Sequence, residues 1–84
     1  MKGSKYIVSR NLFGPSMFIF PLTVKHNEMA DSLKLTEEDI MSAGFVDTCE
    51  VSKHVYCHGE SISLGITANP DVDNKIVKFM LGLE

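Results

Sequence analysis

The sequence predicts an α+β fold: a small, largely antiparallel sheet of two hairpins packed with two to three helices. Three observations carry this. Segments rich in β-branched and aromatic residues come in pairs, near the N-terminus and again in the middle of the chain. Helical spacing of apolar residues appears between those pairs and at the C-terminal end. The 84 residues are 44% apolar and 23% charged, an ordinary globular composition. A chain of this length buries about 60–65% of its unfolded surface, which supports one core, so residues 1–84 are read as a single domain.

Residues 4–10 contain the β-formers Tyr6, Ile7 and Val8. A loop over 11–15 follows, marked by Gly14-Pro15. Residues 16–22 are aromatic and aliphatic and read as a buried strand, which Pro21 closes because it has no N–H to donate. Met29, Ala30 and Leu33 then share one helical face over 27–35, with Asn27 as cap and Glu28 in the first turn. Thr36 followed by Glu37, Glu38 and Asp39 is a second helix start; Ile40, Met41 and Ala43 are its apolar residues, and Gly44 its left-handed end. Residues 45–58 are too long for one strand and read as a hairpin turning near Ser52-Lys53. Over 60–66 the alternation sends Ile62, Leu64 and Ile66 inward and Ser61, Ser63 and Gly65 outward, in a strand or a strand-like loop. Asn69, Pro70, Asp71 and Asp73 open a helix over 70–83, with Val72, Ile76, Val77, Met80 and Leu81 as its stripe.

The formal net charge is −3, which removes the electrostatic basis for a generic nucleic-acid binder. The charge is uneven: residues 1–27 carry +4, residues 28–50 carry −6 and residues 51–84 carry −1. The acidic run Glu37, Glu38 and Asp39 is a solvated face or a patch for a basic partner, such as the basic end of a second copy. The N-terminus lacks the apolar stretch of a secretory signal, and the run Met17-Phe18-Ile19-Phe20 is far too short to span a membrane. Two cysteines are too few for a disulfide framework, so the expected compartment is the cytoplasm.

Cys49, His54, Cys57 and His58 are ligand types that zinc accepts, but strand alternation turns neighbouring side chains apart, and no metal or other cofactor is expected. A disulfide between Cys49 and Cys57 is conceivable only across a hairpin. His58, Glu60 and Ser61 place a base, an acid and a hydroxyl close in sequence, yet the surroundings of a nucleophile elbow are missing, so no catalytic residue is assigned. His58, Ser61 and Ser63 remain binding candidates alongside Glu37, Glu38 and Asp39. Met17 to Phe20 put two large side chains on each face of one strand, and Phe18 or Phe20 is expected to point outward and meet a second copy in a homodimer.

His26 with Met29-Ala30, then Ser42-Ala43-Gly44-Phe45-Val46, Gly59-Glu60-Ser61-Ile62-Ser63-Leu64-Gly65, and Pro70-Asp71-Val72-Asp73 with Ile76 form a pattern. It resembles that of small bacteriophage- and prophage-encoded proteins of uncharacterised function, over most of the chain from residue 18 onward. The acidic segment 36–39 departs from it. The resemblance implies a phage or prophage origin and action in the bacterial cytoplasm, and it carries no catalytic residue. The expected function is a non-enzymatic accessory protein that binds a host or phage protein. The alternative is a small-molecule or metal-binding protein using residues 54–63.

Overall fold

The structure, a computed structural model, describes residues 3–11, 14–49, 51–52 and 54–82. The chain runs β1 (Ser4–Asn11), β2 (Gly14–Phe20), α1 (His26–Ser32), a 3-10 turn (Glu37–Asp39), β3 (Ile40–Cys49), β4 (His54–His58), β5 (Glu60–Ser61), β6 (Ile66–Thr67) and α2 (Pro70–Leu81). The first four strands form one antiparallel sheet in the order β2-β1-β3-β4, while β5 and β6 pair separately. Both expected hairpins are present, and pairing of β1 with β3 joins them.

Strand alternation sorts the core into two clusters. On one face Tyr6, Val8, Met17, Val46, Val55 and Cys57 are buried beneath Val77 of α2. On the other, Ile7, Phe20, Ile40 and Ala43 are buried with Ala30 of α1, and Val24, Leu64 and Ile66 pack around them. Phe20 is therefore not the outward residue expected for a dimer contact. It is 4% exposed, because α1 covers it, and Phe18 is partly buried.

Four local expectations change. Residues 40–44 are not helix: the start signal at Thr36 closes a single 3-10 turn, in which Asp39 accepts from the Thr36 N–H and hydroxyl, both at 2.9 Å. Ile40 onward then pairs with β1, and non-local pairing overrides the local helical signal. Gly44 lies in β3 rather than in a left-handed cap. In the 60–66 segment the inward and outward sets exchange at its start: Ser61 is buried and Ile62 stands out, because residues 62–65 form a turn with Gly65 at φ +66°. The helix α1 starts at His26 and is not capped by Asn27, and Lys34 at φ 57° ends it. In α2, Val77 is buried and Ile76 partly so, but Val72 and Met80 are exposed and Asp73 takes the inward place. Leu83 lies outside the described residues.

Candidate functional site

A groove of about 430 Å³ opens where β1, the start of α1, β3 and the segment after β4 meet. Its floor is Phe45 of β3 and His26 of α1; Lys5 and Lys25 stand on one side, and Gly59, Glu60, Ile62 and Ser63 form the other. The antiparallel rung that sets Lys5 opposite Phe45 brings the first lysine to the floor. Gly44 brings in the far wall. A Cβ there would lie 2.5 Å from the His58 carbonyl oxygen and 3.1 Å from the Ala68 Cβ, so only glycine lets β3 run this close to the end of β4. Ser63 accepts from the Asn27 N–H at 3.3 Å and ties the far wall to α1.

The floor is a row of rings. Phe20 meets His26 edge-on at 5.5 Å, His26 meets Phe45 edge-on at 5.8 Å, and Phe45 stacks on His58 at 6.1 Å. His58 ends the row at the surface, hydrogen-bonded through Nε2 to Asp47 Oδ2 at 2.9 Å. His26 is buried, and its Nε2 donates to the Gly44 carbonyl at 2.9 Å. Burial, helped by the Lys5 charge, holds its pKa below the ordinary imidazole value, against the opposing pull of the Gly44 carbonyl. The floor of the groove is thus a neutral aromatic surface near neutral pH. Lys5 donates to the Val24 carbonyl at 2.9 Å, which fixes its ammonium at the rim and leaves its other protons for a ligand.

Of the residues singled out in the sequence, Ser63 lines the groove and His58 backs its floor through Phe45. Ser61 is buried and accepts from the Leu64 N–H at 3.2 Å, which makes it a turn residue. His58 faces Asp47 while Ser61 faces Leu64 and Ser63, so this segment does not assemble a base and a hydroxyl. Glu37, Glu38 and Asp39 lie beside Arg10, whose guanidinium donates to the Glu38 carbonyl at 3.2 Å, at the other end of β1 from Lys5. Cys49 and Cys57 face His54 and Val46, three rungs apart, so no disulfide joins them. Among the described residues no three His, Cys, Asp or Glu side chains gather as a metal site requires. Lys5, Lys25, Phe45 and Glu60 were not legible as a set, since they come from separate elements. The glycine-flanked 59–65 segment was the local signal for the far wall.

A second polar cluster lies under α2. The buried Asp73 carboxylate accepts from Tyr6 Oη, from Ser42 Oγ at 2.8 Å and from the Asn69 N–H at 2.9 Å. Burial, then the hydrogen bond to Asp73, raises the Tyr6 pKa far above the phenolic value. Burial, with Asp73 nearby, pushes the Cys57 thiol up to about 12. Every buried side-chain polar atom described here has a partner, so this cluster locks the helix to the sheet rather than facing a ligand.

The chain matches no family model, no curated protein and no solved structure. No described helix is long and apolar enough to cross a membrane.

Proposed function

We propose that the protein is a non-enzymatic interaction module that takes an acidic, apolar-anchored segment of a partner protein into the groove. One observation carries this: Ile62 is 89% exposed on the lip of an apolar groove whose opposite side carries Lys5 and Lys25. A large aliphatic side chain held in water at a concave rim is what a partner covers. Two ammonium groups against the one Glu60 carboxylate select for negative charge. The resemblance to phage and prophage proteins supports an accessory role in the bacterial cytoplasm, with a host or phage protein as the partner. A small-molecule reading draws support from the volume, which lies within the range of ligand pockets at about 300–1,000 Å³.

The test is a titration of labelled protein with short peptides in which one aromatic or aliphatic residue is flanked either by acids or by bases. Acidic peptides should bind, with amide shifts at Phe45, Gly59, Ile62 and Ser63. Lys25→Glu should weaken binding about tenfold or more, and rising salt should do the same. Shifts confined to other surfaces, or equal affinity for the basic peptides, would refute the proposal. Groove shifts produced by small aromatic carboxylates and by no peptide would transfer the site to the small-molecule reading.

A further inference from the structure

The sheet has two edges, and they are treated differently. At β4 the Cys57 N–H, which points away from β3, is already bonded to Asn74 Oδ1 at 2.7 Å, so α2 closes that edge. At the other edge, among the described residues, nothing pairs with the outer side of β2. Its seven residues, Gly-Pro-Ser-Met-Phe-Ile-Phe, include no charge. Natural edge strands are usually guarded by lysine or by an inward-pointing charge, and an uncharged edge is a template for another strand. We propose that β2 pairs with β2 of a second copy of this chain across a twofold axis, with the exposed face of α2 packing against its counterpart.

The register follows from proline. Pro15 has no N–H and takes the position whose nitrogen faces away from the ladder. Alternation then turns the N–H and C=O groups of Met17 and Ile19 outward with it. A twofold register centred on Met17 sets Met17 against the partner's Met17, and Ile19 against the partner's Pro15. Each outward N–H of β2 then meets a carbonyl: Met17 donates to the partner's Met17, and Ile19 to the partner's Pro15. Pro15 at one end and Pro21 just beyond the other limit the pairing, which makes it a closed dimer rather than an open fibre.

The side chains agree. Phe79 is 78% exposed and Met80 50% exposed. Phe79 flanks two shallow depressions of about 370 and 300 Å³ between α2 and β2, both also lined by Pro15 and Ile76, and Met80 and Met17 line the second. An exposed ring beside an apolar depression is a self-complementary set, as an isologous contact requires. Lys75 sits at the margin, where its stem can lie along the contact with the ammonium in water. Phe79 and Met80 offer on the order of 250 Å² of apolar surface per protomer. A strand edge about 23 Å long adds roughly as much. The pair then buries about 1,000 Å² in total, the threshold for a specific interface and the size of weak, reversible contacts.

Sedimentation equilibrium of the full chain across the micromolar range should show a monomer–dimer equilibrium. The double variant Phe79→Glu, Met80→Glu changes only exposed positions and should keep the parent circular dichroism. It should raise the dissociation constant at least about tenfold. Amide exchange at Met17 and Ile19 should slow as concentration rises, while Ile62→Asp on the far groove leaves the dimer intact. A monomer at every concentration, a dimer that survives the double variant, or exchange at Met17 and Ile19 independent of concentration would each overturn the proposal.

Discussion

Asp73 is 1% exposed, and three hydrogen bonds converge on it from β1, from β3 and from the start of its own helix. A carboxylate so placed is stable only while its partners remain, and the partners are equally dependent on it. Removing it in Asp73→Ala leaves the Tyr6 and Ser42 hydroxyls and the Asn69 N–H without an acceptor, and should cost about 2–4 kcal/mol. Removing one donor in Tyr6→Phe should cost about 1–3 kcal/mol, the smaller loss because Ser42 and Asn69 still serve the carboxylate. Urea unfolding of the two variants checks the order. Near-equal stability of Asp73→Ala and the parent would mean that the cluster does not hold α2 to the sheet. In sequence, Asp73 read as a partner for the helix dipole. The signal to the contrary was its place four residues before Val77, on the same inward stripe.

At the scale of elements, the strands were legible where apolar residues alternate and proline or glycine marks the end: β1, β2 and the β3–β4 hairpin lie close to where the sequence puts them. The first half of β3 was hidden, because Thr36 and Asp39 form a true helix-start signal that serves only one turn, and because the partner of Ile40 to Val46 is β1, more than thirty residues away. The 60–66 alternation misled only at Ser61 and Ile62, which exchange places where the chain enters the turn over 62–65, while Leu64 and Ile66 pack inward as it puts them. In α2 the stripe was read one flank too wide. Val77 is fully buried, Ile76 only partly, and Val72 is exposed. Val77→Ala should therefore cost about 2 kcal/mol or more and Ile76→Ala a similar amount or less, despite its larger side chain. Val72→Ala should stay within about 0.5–1 kcal/mol of the parent. Thermal melts at low protein concentration test the ranking. If Ile76→Ala is clearly the most destabilised, the helix sits rotated from the orientation described here.

Across the whole molecule, three buried titratable groups on opposite faces of the sheet bound the pH range in which the fold is stable. His26 belongs to the α1 face, and its folded pKa is lowered, chiefly by burial. Below its ordinary value of 6.5 the unfolded chain binds a proton that the folded chain resists, so stability falls as pH drops from there toward the folded pKa. Tyr6 and Cys57 belong to the α2 face, and burial raises both. Their contribution is complete below the ordinary values of 10.0 and 9.0, and declines above them as the unfolded chain gives up protons that the folded chain keeps. For Cys57 that decline runs to about 12. The expected profile is a plateau between about pH 6.5 and 9, falling on either side by up to about 1.4 kcal/mol per pH unit for each group. Urea midpoints measured across pH give the profile, and two variants assign its limbs. His26→Phe should flatten the fall that begins below pH 6.5, above the range where Asp39, held low by its bonds from the Thr36 backbone and hydroxyl, begins to contribute. Cys57→Ala should flatten the part of the alkaline limb that begins near pH 9 and leave the Tyr6 part above it. An acid limb unchanged in His26→Phe would show that the imidazole is charged as readily in the fold as in the unfolded chain, and the groove floor would then gain a cation as pH falls through 6.5.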